Sequence, residues 1–265
     1  MNQNFTGYVI SGTHWDREWY QTFQGFRLNL VRITGELINV LEKNPDFKVF
    51  HFDGQTIVLE DFVEVCPEQK ERLKQLIADH RVLIGPWYCM PDEFLVSGES
   101  LIRNLQKGFE LSKQWGTEAW KCGYICDVFG HIAQMPQILR GFHMEYAALS
   151  RGINEHNCTP FFRWVSLDNS EVMAYKMPEK SGYGAFSMEV AGQRVHGECV
   201  AANSAEFRRK AKKYIDGQFD RSNIPVIMIM DGMDHEPIHK EALDYISVLQ
   251  TMYPDAEIVL DDMLS

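Results

Sequence analysis

The sequence has no uninterrupted apolar run long enough to cross a bilayer, and its first residues lack a basic segment followed by an apolar stretch. We therefore expect a cytoplasmic protein that does not associate with membranes. Basic residues are also in deficit, since 26 Lys and Arg stand against 37 Asp and Glu, for a formal net charge of -11. Because binding to a phosphate backbone needs a basic surface, nucleic acid is not an expected partner.

Cysteine is too sparse for a disulfide framework, since the 265 residues include only six. Cys122 and Cys126 are spaced too widely for a redox C-x-x-C pair, so reduced thiols are expected. Cys126 precedes an aspartate, but a free cysteine usually packs as a small buried hydrophobe, and this is the prediction for it. Internal repeats and low-complexity segments are absent, and 45% hydrophobic residues are enough for a sizeable core.

Short β-branched or aromatic runs alternate with segments of helical apolar spacing through most of the chain. The predicted strands are 8–11, 48–52, 82–85, 120–126, 146–150, 171–176, 225–230 and 257–260. The predicted helices are 28–42, 67–80, 99–115, 136–142, 204–219 and 241–253, and the stretch 177–202 is predicted to be a long loop. This alternation favours an α/β fold with a mostly parallel sheet, either open or closed into an irregular barrel of about seven strands.

Reactive residues follow several of the predicted strands, where ligands bind in parallel α/β folds. After the first strand, His14 and Asp16 are two residues apart, so their side chains share one face of an extended segment. An imidazole and a carboxylate placed in this way can chelate one Zn²⁺ ion. The alternative is a structural hydrogen-bonded pair, which a bare H-x-D spacing does not exclude.

Two further aspartates follow strands in the same manner. Asp127 directly follows a predicted strand, so it belongs either at the mouth of the same pocket or at the N-cap of the next helix. Asp234 follows the strongly apolar segment 225–230 and is a candidate acid/base residue. Turn chemistry is the alternative there, and it accounts for Asp231 in the Asp-Gly pair better than for Asp234.

The loop tryptophans Trp19 and Trp87 are candidates for stacking on a sugar ring. Taken singly, each is more simply explained as a core residue, because most aromatic side chains contribute packing. Their clustering with polar residues after strands favours a carbohydrate site.

Four motifs in this order resemble the α-mannosidases of glycoside hydrolase family 38, particularly the bacterial branch that includes mannosylglycerate hydrolases. They are T-H-W-D-R-E-W-Y at 13–20, F-D-G-Q at 52–55, G-P-W-Y-C-M-P-D-E at 85–93 and C-D-V-F-G-H at 126–131. The family's common Asp-Pro-Phe-Gly-His pattern is altered here by Val128, which changes loop stiffness and removes no reactive atom.

The resemblance implies an irregular seven-stranded β/α barrel and zinc-dependent retaining hydrolysis of terminal α-mannosides or mannosylated small molecules. It implies that His14, Asp16 and Asp127 bind one zinc ion, that Asp127 is the nucleophile, and that Asp234 is the general acid/base. By the same positional match, further substrate-site residues are Trp19, Phe129, Arg151, Trp87 and Asp92, of which the last two have no firm role.

The resemblance also implies that residues 1–265 form the N-terminal catalytic domain of a longer enzyme. The family takes a fourth zinc ligand from a downstream histidine, which is expected beyond residue 265. This chain alone is therefore expected to bind zinc weakly or not at all, and to have little activity. A homo-oligomer is compatible with the sequence.

Two other functions fit the residues without the resemblance. A metal-dependent carbohydrate deacetylase also uses Asp and His on an irregular α/β barrel and needs no covalent nucleophile. A non-catalytic carbohydrate-binding domain would bind mannosides without turnover, but it needs neither Asp127 nor Asp234.

Overall fold

The computed structural model describes residues 4–192 and 199–265, and this part of the chain contains nine strands and seven helices. The strands are β1 (Thr6–Ser11), β2 (Phe50–His51), β3 (Val82–Leu83), β4 (Cys122–Ile125), β5 (Tyr146–Leu149), β6 (Phe161–Val165), β7 (Glu171–Lys176), β8 (Val226–Asp231) and β9 (Glu257–Leu260). The helices are α1 (Phe23–Lys43), α2 (Ile57–Val65), α3 (Lys70–Ala78), α4 (Gly98–Gln114), α5 (Met135–Gly141), α6 (Ala205–Arg221) and α7 (Ala242–Met252).

The strands form three small sheets, with the orders β8-β1-β9, β2-β3 and β4-β5-β7-β6. All pairings are parallel except β6 with β7, which is antiparallel. The predicted mixed α/β class with mostly parallel strands is therefore confirmed.

The described strand pairings do not close a seven-stranded barrel. β2 and β3 are each two residues long. An isolated bridge between Gly12 and His51 links β2 to the segment after β1, and one between Gln55 and Trp87 continues the pairing of β2 with β3. The alternation of strands and helices predicts parallel pairing, but it does not predict how many residues of each strand are paired. That number decides whether neighbouring sheets join into one continuous sheet.

Two elements, α2 and β6, are additional to the predicted ones. β6 lies at a sheet edge and pairs antiparallel with β7, where it is only partly buried. The predicted loop 177–202 contains one turn at Gly182–Gly184 and another at Ser187–Ala191. Residues 193–198 of that loop lie outside the described part of the chain.

Side-chain caps and buried apolar faces fix the long helices. Thr22, Ser97 and Ser204 precede α1, α4 and α6, and each hydroxyl accepts a hydrogen bond from a backbone N–H in the first turn. The larger core cluster packs around β1, β8 and β9, and a smaller one lies between α4, α5 and the sheet of β4, β5 and β7. No helix in the described ranges is long and apolar enough to span a membrane.

The parallel pairing of β1 with β8 continues past the carboxyl ends of both strands. Ser11 pairs with Asp231, and beyond the strands the His14 N–H donates to the Met233 carbonyl at 3.0 Å while the His235 N–H donates to the His14 carbonyl at 2.9 Å. This extended pairing places the loops of both strands side by side and so positions the residues described next.

Candidate active site

His14 lies just beyond β1 with an imidazole that is only 4% exposed. Its Nε2 atom lies 3.4 Å from Asp16 Oδ2 and 3.4 Å from Asp127 Oδ2. Within the described ranges, this buried nitrogen has no hydrogen-bond partner. A buried polar atom without a partner is costly, and a cation between the nitrogen and the two carboxylates would satisfy all three groups.

The spacing of these atoms fits zinc. Four ligands at 2.0 to 2.1 Å in a tetrahedron lie about 3.3 Å from one another, which matches both 3.4 Å separations. The other ring nitrogen of His14, Nδ1, lies 2.6 Å from Asp53 Oδ2. That distance is too short for two ligands of one zinc ion and corresponds to a hydrogen bond, so the metal face of His14 is Nε2.

Burial and the neighbouring acidic groups shift the pKa of His14 in opposite directions. Burial lowers the pKa of His14, but Asp53, Cys126, Asp127 and Asp16 together outweigh it, so that the pKa of His14 is raised well above its ordinary value. The electrostatic environment of His14 therefore favours binding of a cation, which can be a proton or a metal ion.

Asp16 is held by His235, which follows β8. The Asp16 N–H donates to His235 Nε2 at 3.1 Å, and His235 Nδ1 lies 3.3 Å from the Tyr20 hydroxyl. The imidazole of His235 is buried and packs against the ring of Phe26 on α1. Burial raises the pKa of Asp16, but contacts with His14 and His235 outweigh it and hold that pKa well below its usual range.

Asp127 follows β4 and directs its two oxygens to different partners. Oδ2 faces His14, and Oδ1 lies 2.7 Å from Nη2 of Arg151, which follows β5. The Arg151 loop is held in turn by His131, whose Nε2 lies 3.0 Å from the Arg151 carbonyl and whose Nδ1 lies 2.8 Å from the buried carboxylate of Glu93. One oxygen of Asp127 is thus available to a metal ion and the other is oriented by a cation.

Asp234 follows β8 and lies at the boundary of two cavities. The first, of about 750 Å³, is also lined by Asp127, Arg151 and Tyr183. The second, of about 960 Å³, is also lined by Tyr20 and by residues on α1. The Tyr183 hydroxyl donates to Asp234 Oδ1 at 2.7 Å.

The other predicted substrate residues fall into two groups. Trp19 is 73% exposed and Phe129 is 75% exposed, with the Arg151 guanidinium 5.9 Å from the Phe129 ring centroid. Trp87, in contrast, is fully buried in the core and donates its indole N–H to the Tyr124 carbonyl at 3.0 Å. The structure therefore gives Trp87 a packing role in place of the predicted sugar contact, because no part of its side chain reaches the surface.

Asp92 is half-buried and lines neither of the two cavities at Asp234. Its backbone carbonyl accepts from the Leu95 N–H at 3.0 Å. The next residue, Glu93, makes the contact with His131. The motif at 85–93 therefore contributes to the site through Glu93, and the sequence did not show which of its two acidic residues would do so.

Tyr183 and Asp53 were not predicted as site residues. Tyr183 belongs to the predicted loop and lies between two glycines, of which Gly182 has a φ of +45°. Its approach to Asp234 depends on how the loop folds back over the sheet, and no sequence spacing reports that. Asp53 did have a signal, since it follows the second predicted strand directly, but its partner, His14, is 39 positions away.

Comparisons with known proteins show the family of this chain. Residues 4–258 match the Glycosyl hydrolases family 38 N-terminal domain. A candidate mannosylglycerate hydrolase from Halalkalibacterium halodurans is 32% identical over 255 residues, which are 94% of this chain and 28% of that protein. The crystal structure of an alpha-mannosidase from Enterococcus faecalis superposes with a TM-score of 0.87 at 26% identity, over 98% of this chain and 28% of that one.

The fold is also shared more widely. A candidate polysaccharide deacetylase from Mycobacterium smegmatis superposes over 97% of this chain and 88% of its own with a TM-score of 0.58, but at 9% identity the likeness concerns the fold alone. The family match spans nearly the whole chain, whereas the chain spans about a quarter of the length of the two relatives that resemble it more closely. The chain therefore belongs to glycosyl hydrolase family 38, of which it carries the N-terminal domain.

Proposed function

We propose that this chain carries the mannose-binding catalytic site of a zinc-dependent retaining α-mannosidase. The observation that carries the proposal is the unpartnered Nε2 of buried His14, held 3.4 Å from one oxygen of Asp16 and one oxygen of Asp127. Two relatives named for mannoside hydrolysis support the same conclusion.

Zinc would be held by His14 Nε2, Asp16 Oδ2 and Asp127 Oδ2, whose donor atoms all lie within 4.8 Å of one another. When bound, the ion supplies a positive charge that polarises and orients substrate oxygens. These three ligands would leave a further position on the ion for water, for substrate or for the additional histidine that the resemblance implies.

Asp127 is the proposed nucleophile. Its Oδ1, beside Arg151, attacks the anomeric carbon while the bond from that carbon to the leaving oxygen breaks, which forms a covalent glycosyl ester on Asp127. Water then attacks the same carbon and releases the sugar from the carboxylate, so that two inversions give net retention. Arg151 would hold Oδ1 in place through its ion pair at 2.7 Å.

Asp234 is the proposed general acid/base. In the first step it gives its proton to the leaving oxygen, and in the second it takes one from the attacking water. Its place at the boundary of two cavities suits this role, because the leaving oxygen joins two groups that must lie on either side of the acid. We assign the mannose to the cavity shared with Asp127 and the leaving group to the cavity beside α1.

A covalent trapping experiment tests the chemistry. A fluorinated mannosyl substrate that slows the second step should label zinc-loaded protein on the peptide containing Asp127. Asp127→Asn should abolish labelling, and Asp79→Asn, at the exposed C-terminal end of α3, should leave it unchanged. Labelling that persists in Asp127→Asn would disprove the assignment of the nucleophile.

A carbohydrate deacetylase is the second candidate, and the shared fold is what favours it. A deacetylase uses metal-activated water and needs no covalent nucleophile, so covalent labelling separates the two functions. Release of acetate from an N-acetyl sugar, without covalent labelling, would favour this second function. Binding of mannosides with neither labelling nor acetate release would favour a non-catalytic binding domain.

A further inference from the structure

The carboxylate of Asp53 lies behind His14, on the side away from the two cavities. It follows β2 and is only 1% exposed, so it cannot touch a substrate. Its φ of +56° lies in the left-handed region, which is uncommon for residues other than glycine. The Asp53 N–H donates to His51 Nδ1 at 3.1 Å, and this bond helps to hold the unusual conformation.

Three donors converge on this carboxylate. Oδ2 lies 2.6 Å from His14 Nδ1 and accepts from Gln55 Nε2 at 3.3 Å, and Oδ1 accepts from the Cys126 thiol at 2.9 Å. His14 follows β1, and Cys126 is the residue directly before Asp127. Asp53 therefore connects the two segments that carry the proposed zinc ligands.

We propose that Asp53 is a positioning residue for the zinc site. By accepting the Nδ1–H of His14, it fixes the ring orientation and keeps the lone pair of Nε2 directed between Asp16 and Asp127. By accepting from Cys126, it also holds the start of the loop on which Asp127 lies. This inference rests on the proposed zinc-dependent function, and it adds a residue that neither chelates the metal nor reacts.

The alternative that Asp53 is itself a metal ligand conflicts with the distances. His14, Asp53 and Cys126 are close enough to form a second candidate cluster. However, 2.6 Å between Nδ1 and Oδ2 is a charge-assisted hydrogen bond, shorter than the separation of about 3.3 Å between two ligands of one tetrahedral zinc ion.

The test is zinc affinity measured by competition with a chromogenic chelator. Asp53→Asn suits it, because asparagine tolerates the left-handed conformation and keeps the size of the side chain. Loss of a carboxylate behind a metal-bound histidine typically weakens metal binding about 10- to 100-fold, and we expect at least the lower figure here. Asp61→Asn is the matched control, since Asp61 is equally buried but pairs with Arg17 and does not touch His14.

A second readout separates positioning from loss of structure. In zinc-loaded protein, the short hydrogen bond should give the Nδ1–H of His14 a strongly downfield proton resonance, which Asp53→Asn should move upfield and Asp61→Asn should not. Cys126→Ala removes one donor to Asp53 without changing the carboxylate, and we expect it to weaken zinc binding by about 3-fold, a smaller effect than that of removing the carboxylate itself.

The outcomes distinguish this inference from the proposed function. If His14→Ala abolishes zinc binding while Asp53→Asn and Cys126→Ala bind zinc as tightly as the wild type, zinc binding stands and the positioning role is refuted. Exposed His143→Ala is the control and should leave zinc affinity unchanged. If His14→Ala also leaves it unchanged, the assignment of the zinc site is wrong and the inference fails with it. Weakened binding in Asp53→Asn with an unmoved His14 resonance would also refute the positioning role.

Discussion

Gly108, in the middle of α4, allows the helix to approach the loop at Pro86 and Trp87 closely. A Cβ added there would lie 2.1 Å from the Pro86 carbonyl oxygen and 2.6 Å from the Trp87 carbonyl carbon. That loop is bonded in turn to the segment after Asp53, since the Trp87 N–H donates to the Gly54 carbonyl at 2.9 Å. Gly108 thus supports the loops behind His14.

Helix propensity and packing predict opposite signs for Gly108→Ala. In an open helix interior, alanine is more stable than glycine by about 1 kcal/mol. Here the methyl group meets backbone atoms, which cannot rotate away as a side chain can, so the helix and loop must separate by roughly 1 Å to restore van der Waals contact. Overpacking of this kind costs about 1 to 3 kcal/mol, and we expect the upper end. The net effect should be a loss of about 2 kcal/mol.

Gly35→Ala in α1 is the matched control, because an added Cβ there meets nothing within 4 Å. Urea unfolding followed by circular dichroism should show this variant to be more stable than the wild type by about 1 kcal/mol. The two variants should therefore differ by about 3 kcal/mol, or about 6 to 12 °C in Tm for a chain of this size. If Gly108→Ala is as stable as Gly35→Ala, the conclusion that α4 packs closely against the loop is refuted.

Three further predictions follow from the same structure. Burial lowers the pKa of His51 to about 3, below an unfolded value of about 6.5, so the unfolded chain binds the proton first and stability falls as the pH drops from 6.5 toward 3. Between pH 7 and pH 5 the wild type should lose about 2 kcal/mol more of its free energy of unfolding than His51→Asn does, and an equal change in both proteins would contradict the low pKa. Trp87→Phe should reduce the free energy of unfolding by about 2 kcal/mol, whereas exposed Trp19→Ala should change it by less than about 0.5 kcal/mol and weaken mannoside binding by calorimetry; the reverse ranking would mean that the two tryptophans have been assigned the wrong roles. Arg151→Met should slow covalent labelling of Asp127 by about 10-fold or more, the factor for about 1.4 kcal/mol of lost transition-state stabilisation, and an unchanged labelling rate would show that the ion pair does not orient the nucleophile.

The sequence predicted most of the regular elements because their signals are local. Six helical segments were predicted from apolar spacing, and six helices lie at those positions, with ends that differ by a few residues where caps such as Thr22 decide the first turn. α2 was missed, because its nine residues are too few for a clear period. β6 was missed because an edge strand owes its structure to pairing with β7.

The sequence by itself determined which reactive residues follow strands, and parallel strands of one sheet bring their carboxyl ends to one edge whatever their separation along the chain. His14, Asp16, Asp127, Arg151 and Asp234 all follow strands, and they lie together. Only the tertiary structure decided how each of these groups is directed. Whether an indole faces the core or a cavity, as for Trp87, and which carboxylate lies behind an imidazole, as for Asp53, depend on packing between segments far apart in the chain, and no local pattern encodes those contacts.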